Sequence, residues 1–137
     1  MNDYQQKKLK NHVLPQPVYR QALWAVRDLE RLQTRLSELK EDAYVLRGYD
    51  ISIPSAGFGT GIVCDATASR AIKIVVLTRR VEAIESAFDA VPEKYRSGVR
   101  QKLVSDTPYN EETAHINTWR KWQQICLYQV AENLQLF

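Results

Sequence analysis

The sequence has few cysteines and histidines, which are the usual ligands of zinc. It contains two cysteines, Cys64 and Cys126, and two histidines, His12 and His115. Neither their number nor their spacing suits a zinc site. The glycine-rich run 57–61 is not followed by the lysine of a phosphate-binding loop. We therefore expect two reduced thiols and no metal, no cofactor and no catalytic site, in a protein that is not an enzyme.

Long apolar runs and a secretory signal are also missing. No stretch approaches the roughly 18 uninterrupted apolar residues that a membrane span requires, and the polar, basic start 1–10 has no apolar segment behind it. These absences predict a soluble, cytoplasmic protein. The formal net charge of +3 does not by itself indicate an anionic partner. The excess of positive charge lies in residues 1–20, which hold four basic side chains and one acidic one.

The first third of the chain divides into a tail and a periodic segment. Residues 1–16 are rich in Lys, Gln and Asn, and Pro15 and Pro17 disfavour helix before them, so we interpret this part as a flexible basic tail. From Val18 onward, apolar side chains recur in alternating steps of three and four: Ala22, Ala25, Leu29, Leu32, Leu36, Leu39, Ala43 and Leu46. This heptad pattern predicts one long amphipathic helix.

A second long helix is predicted after a loop. Residues 48–64 hold four of the five glycines together with Pro54, which predicts a loop, and Asp65 suits the N-cap of the helix that follows. The apolar positions of that helix are Ile74, Leu77, Val81, Ile84, Phe88 and Val91. Residues 17–91 thus predict two amphipathic helices that pair either as a helical hairpin or as a coiled coil between chains, and the spacing leaves both open.

The segment 92–137 predicts a small helix-turn-helix module, which completes an all-α fold. Pro92 suits the first residue of a third helix, and a turn at about 110–116 leads to the last one. On that last helix one face is apolar, with Trp119, Trp122, Cys126, Val130 and Leu134. The opposite face carries Asn117, Arg120, Lys121 and Gln124. One face therefore predicts the core, and the other a recognition surface.

The polar face has the side chains that read double-stranded DNA. A helix fits the major groove, where Arg pairs with guanine and Asn with adenine, while Lys and Thr hold phosphate. The predicted DNA-binding residues are Asn117, Thr118, Arg120, Lys121, Gln124 and His115. For His115 an N-terminal capping role is the alternative to a phosphate contact, and for the whole face the alternative is an ordinary solvated helix surface.

Three motifs, in order, resemble those of phage transcriptional activators of the RinA type. They are Asp65-Ala66-Thr67-Ala68-Ser69-Arg70-Ala71-Ile72-Lys73, Val91-Pro92-Glu93-Lys94-Tyr95-Arg96, and Asn117-Thr118-Trp119-Arg120-Lys121-Trp122 with Tyr128 to Leu134. The resemblance covers roughly residues 23–136. The C-terminal module of that family is similar to region four of bacterial sigma factors, which is a helix-turn-helix. The first helix of that unit, expected here at about 111–114, is shorter than in many relatives. Ala66 stands where the family has proline.

The resemblance implies a sequence-specific DNA-binding activator of phage late or packaging genes, acting in the cytoplasm of a bacterial host. The partners it implies are double-stranded DNA and bacterial RNA polymerase, and a homodimer would bind two half-sites. Two alternatives stay open at this point. One is a small terminase-like subunit for DNA packaging, and the other is a helical protein-interaction module that binds no DNA.

Overall fold

The computed structural model describes residues 5–7, 11–51 and 60–137, with side chains in 5–7, 11–42 and 67–137. All regular secondary structure in these residues is helical, which confirms the predicted all-α class. The helices are α1 (Gln16–Arg27), α2 (Leu29–Ile51), α3 (Thr60–Ala87), a 3-10 turn (Phe88–Ala90), α4 (Glu93–Ser105) and α5 (Ile116–Asn133). Among the helices described, none is both long and apolar enough to cross a membrane.

The chain forms two compact units. One unit comprises residues 31–81, and the other combines the chain up to residue 30 with residues 82–137. The second unit thus reaches beyond the module predicted at 92–137, because α1 packs against both α4 and α5. Tyr19, Leu23 and Val26 of α1 are almost completely buried. The C-terminal helices therefore share their core with a helix from the start of the chain.

The predicted first long helix is divided at Asp28 into α1 and α2. The backbone of Asp28 stays in the right-handed helical region (φ −85°, ψ −1°), and its N–H still donates to the Trp24 carbonyl at 3.0 Å. Asp is a weaker helix former than the Leu and Ala around it. The predicted apolar seam is nevertheless confirmed, since Ala22, Ala25, Leu29, Leu32, Leu36 and Leu39 are all buried. Ala43 and Leu46 lie outside the described side chains.

The predicted loop 48–64 and the N-cap at Asp65 are corrected by the structure. Helix α2 continues to Ile51, and α3 begins at Thr60, so Asp65 lies inside a helix. The physical reason is that Gly48 and Gly61 each weaken a helix by about 1 kcal/mol relative to alanine without ending it. Residues 52–59 lie outside the described part of the chain. The pairing of the two long helices, within one chain or between chains, stays a prediction.

Toward its C-terminal end α3 joins the second unit. Ile84 and Val91 are fully buried, and Phe88 is nearly so, as the apolar spacing predicted. The Arg96 guanidinium donates to the carbonyls of Phe88 at 3.0 Å and Val91 at 3.1 Å. Because carbonyls at helix ends otherwise lack partners, these hydrogen bonds fix the turn that leads from α3 into α4.

The connection between α4 and α5 contains the predicted turn at about 110–116 but not the short helix expected at 111–114. Residues 111–114 form turns and a bend rather than a short helix, and the Asn110 Oδ1 accepts from the Glu112 N–H at 3.0 Å. An Asn side chain that bonds to a nearby backbone N–H competes with helix formation, and four residues are too few to offset this. Ten residues, 106–115, thus separate α4 from α5, more than the three or four of a typical helix-turn-helix.

Trp119 is the centre of this part of the core. Its side chain is only 3% exposed, and its Nε1–H donates to the Asn110 carbonyl at 3.0 Å. The ring stacks on Tyr109 (centroids 5.0 Å apart) and meets Tyr95 edge-on at 5.3 Å. A Cβ added at Gly98 of α4 would lie 2.6 Å from the nearest ring carbon. Glycine at position 98 is therefore what lets α4 approach the indole so closely.

Cys126 lies on the apolar side of α5 and is a free thiol, as predicted. It is completely buried, and desolvation raises the pKa of its thiol to about 12. Because the thiolate is the reactive form, burial keeps this sulfur chemically inert at neutral pH. Cys64 lies outside the described side chains.

We predict that Gly98→Ala destabilises the protein by roughly 1–2 kcal/mol, because the new methyl overpacks a ring that is held on several sides. Alanine's better helix propensity, about 1 kcal/mol, offsets only part of this cost. Urea denaturation gives the free energy of unfolding. Ser97→Ala, at the exposed neighbour, is the matched control and should stay within about 0.5 kcal/mol of the unmodified protein. A Gly98→Ala protein as stable as the parent would contradict the account of this contact.

Candidate nucleic-acid interface

His115 forms the N-cap of α5, so the capping alternative is confirmed. Its Nδ1 accepts from the Asn117 N–H at 3.1 Å. In a neutral imidazole with Nδ1 as acceptor, the proton is on Nε2. The side chain is exposed, and its remaining ring nitrogen is therefore a hydrogen-bond donor at the helix start. Capping does not prevent a phosphate contact from that nitrogen.

The first two turns of α5 present a polar surface. Asn117 and Lys121 are exposed, and Thr118 and Arg120 are partly exposed, while Trp119 between them is buried. The Lys121 ammonium lies 5.1 Å from the centroid of the neighbouring Trp122 ring. The division of α5 into an apolar and a polar side thus holds over these two turns.

Trp122 was predicted as a core residue and is only partly buried. Its ring stacks on Tyr95 of α4, with centroids 6.1 Å apart and planes 21° from parallel. The residue lies at the edge of the core because Trp119 already fills the space beside Gly98. The two tryptophans therefore have different surroundings, which helical spacing alone does not distinguish.

Gln124 was predicted on the DNA-reading surface, and the structure corrects this. Its side chain is 3% exposed. The amide oxygen accepts from the Lys7 N–H at 2.8 Å, and Nε2 donates to the carbonyls of Lys7 at 2.8 Å and His12 at 2.7 Å. The N-terminal segment covers this part of α5, so Gln124 holds the chain's own backbone and cannot reach a base.

The described part of the N-terminal segment is held in place by several contacts. Gln6 makes a reciprocal pair with the backbone of Leu14, in which Nε2 donates at 2.8 Å and Oε1 accepts at 2.9 Å. Leu14 is buried, and the His12 ring meets Tyr128 of α5 edge-on at 5.0 Å. Gln6, Lys7, His12 and Leu14, predicted as part of a flexible tail, thus have partners on α5 or on each other.

Lys7 belongs to the tail that the sequence predicts to be flexible and basic, and the structure places it on this surface. Its ammonium donates to the Asn117 Oδ1 at 2.7 Å. The two residues are 110 positions apart, and no local pattern links a lysine in a polar tail to a distant helix. The fold therefore adds a positive charge to the candidate interface from the opposite end of the chain.

A cavity of about 240 Å³ lies beside the start of α5. Its lining includes three cationic side chains, Lys7, Lys102 and Arg120, and one acidic side chain, Glu111. Lys102 belongs to α4 and donates to the Asp106 carboxylate at 2.7 Å. That hydrogen bond, with the charge of the lysine, holds the pKa of Asp106 below its ordinary value. The cavity thus collects cations from three parts of the sequence.

Metal chemistry has no candidate in the part of the chain that the structure describes. No three His, Cys, Asp or Glu side chains there are grouped as ligands of one ion. The polar groups at the start of α5 are amides, a hydroxyl and cations, which bind by hydrogen bonding and charge.

Comparison of the chain with protein-family models, with curated proteins and with solved structures finds no match. The likeness to RinA-type activators therefore depends on the sequence motifs alone.

We predict that Gln124→Ala releases the N-terminal segment. Hydrogen exchange at the Lys7 amide should accelerate, because its acceptor is removed, and the loss of three hydrogen bonds should cost about 1–3 kcal/mol of stability. Gln129→Ala is the matched control on the same helix, since the Gln129 amide bonds to Asn133 at 2.8 Å. Unchanged protection of the Lys7 amide in Gln124→Ala, measured by NMR, would show that Gln124 does not hold the segment.

Proposed function

We propose that this protein binds double-stranded DNA sequence-specifically through the first two turns of α5. The observation that carries the proposal is the exposed pair Asn117 and Lys121, presented on either side of the buried Trp119. An α-helix fits the major groove, and its N-terminal residues are those that contact base edges in helix-turn-helix proteins. A well-packed indole beneath the surface fixes the direction of the side chains beside it, which base recognition requires.

Asn117 is suited to pair with adenine. A bidentate contact uses the amide oxygen as acceptor and the amide nitrogen as donor. The oxygen already accepts from Lys7, but an amide oxygen has two lone pairs and can accept a second hydrogen bond. Lys7 therefore supports the orientation of Asn117 and brings a positive charge next to it.

The charge and polarity of the surface favour DNA over a helical protein partner. An amphipathic partner helix binds through apolar anchors in a hydrophobic groove. The exposed residues at the start of α5 are instead polar or cationic, and Lys7 adds positive charge from the N-terminal segment. Positive charge gathered on one surface is the electrostatic mark of nucleic-acid binding, even in a protein whose net charge is small.

The biological role that we propose follows from the resemblance to RinA-type activators. The protein would activate late or packaging genes of a phage in a bacterial cytoplasm and contact RNA polymerase. If the long helices pair two chains, the operator would contain two half-sites.

Selection of bound duplexes from a random pool, at two salt concentrations, tests DNA binding. We expect an enriched motif, affinity that falls steeply with salt, and a loss of roughly 1–3 kcal/mol for Asn117→Ala confined to one base position. Lys121→Ala should weaken binding or change the selected motif. Lys40→Ala, which removes an exposed charge from α2, is the control and should leave the motif unchanged. Failure to enrich any motif at either salt concentration would overturn the proposal.

A further inference from the structure

The cavity beside α5 brings together side chains that no short segment of sequence connects. Lys7 comes from the N-terminal segment, Lys102 from α4 and Arg120 from α5. Tyr109 and Gln123 also line it, and the Tyr109 hydroxyl donates to the Gln123 Oε1 at 2.6 Å. The walls thus combine cations and hydrogen-bonding groups with apolar residues such as Pro108 and Ile116.

Arg120 is the group in this cavity that is most available to a ligand. Among the residues that the structure describes, its guanidinium makes no hydrogen bond or ion pair, although the side chain is partly buried. A guanidinium has five N–H donors in a planar arrangement that matches the oxygens of phosphate. Its N–H groups are not sealed from solvent, so an anion in the cavity can replace water as their acceptor.

The lysines add charge without closing the cavity. Lys7 donates to the neutral Asn117 amide, so its positive charge is not neutralised there. Lys102 is paired with Asp106. The positive charges of Lys7 and Arg120 therefore remain to offset the negative charges of Glu111 and of the ligand. The side chain of Gln124 fixes the backbone of Lys7 through two hydrogen bonds of 2.8 Å. Gln124 is therefore a positioning residue for the lysine at this site.

The size and chemistry of the cavity select a small, charged ligand. Its volume of about 240 Å³ is below the roughly 300–1,000 Å³ typical of pockets for drug-sized molecules. Cationic and amide groups favour an oxyanion over an apolar ligand. Two cations from different elements can each contact a different oxygen of the same anion. This arrangement suits an anion with several charged oxygens better than one whose charge lies on one side only.

We infer that this cavity is a phosphate-binding site in which Arg120 and Lys7 contact the anion. The phosphate is either a free anion or one from the backbone of bound DNA, and the second source rests on the proposed function. In that case Arg120 anchors the DNA backbone, while Asn117 and Lys121 reach the bases. Phosphate contacts fix the register of a protein on the duplex, and base contacts supply the specificity.

A calorimetric titration with inorganic phosphate, at constant ionic strength in chloride, tests the site directly. We expect saturable binding that weakens at least tenfold in Arg120→Ala and in Lys7→Ala. Lys94→Ala removes an exposed charge from α4 that does not line the cavity, and it should bind phosphate like the unmodified protein. Equal affinity in all these proteins would mean that phosphate binds elsewhere and would overturn the inference.

Duplex DNA distinguishes the two sources. If the cavity holds a backbone phosphate, Lys7→Ala lowers the slope of log affinity against log salt by about 0.9. If only free phosphate responds to the variants, the site takes a free anion. If the protein binds phosphate but no DNA, the proposed function is wrong, and the inference that the cavity binds free phosphate still holds. If the variants change neither free-phosphate binding nor the salt slope, the inference is overturned, and DNA binding is then judged by the selection experiment alone.

Discussion

The position of the Trp119 indole determines how the rest of the candidate interface is arranged. The ring contacts α4 at Gly98, and it bonds to the connection between α4 and α5 at the Asn110 carbonyl. Stacking on Tyr109 holds the same connection from another side. An aromatic side chain in such a position combines a large buried apolar area with a hydrogen bond that fixes its direction. Because neighbouring residues share one helix backbone, fixing Trp119 also fixes the backbone from which Thr118 and Arg120 project.

Helix α5 therefore has separate functions on its two sides. The inward side supplies core residues such as Leu127 and Val130, which are fully buried. The outward side has two parts. Its start is exposed, whereas its middle is covered by the N-terminal segment, to which Gln124 is hydrogen-bonded. Covering the middle confines contact with a ligand to the first two turns. It also places the charge of Lys7 at the boundary between the covered and the open part.

The apolar spacing in the sequence was sufficient to predict the helical class and much of the core. Leu29, Leu32, Leu36 and Leu39 are buried as their heptad spacing predicts, and Ile84 and Val91 follow the same rule. These positions were predictable because the burial of apolar side chains is the dominant driving force of folding and leaves a periodic trace in the sequence. The residues Asn117, Thr118, Arg120 and Lys121 lie where the helical face predicted, with at least part of each side chain exposed.

The errors concern polar residues and helix ends. Gln124 has the spacing of the exposed face, and only the distant backbone of Lys7 and His12 makes its burial favourable. Hydrogen bonds between residues more than a hundred positions apart leave no periodic signal. The break at Asp28 and the turns at 111–114 depend on local balances of about 1 kcal/mol, which tertiary contacts readily override. The convergence of Lys7, Lys102 and Arg120 on one cavity was not predicted, since these side chains come together only in the folded chain.

The start of α5 is the surface that we propose contacts DNA. NMR of the isotopically labelled protein, titrated with a duplex at low and then physiological salt, tests this proposal. We expect the largest changes in backbone amide signals within residues 115–121, and we expect them to persist at the higher salt concentration. Changes confined to other parts of the chain, or no changes at low salt, would contradict it.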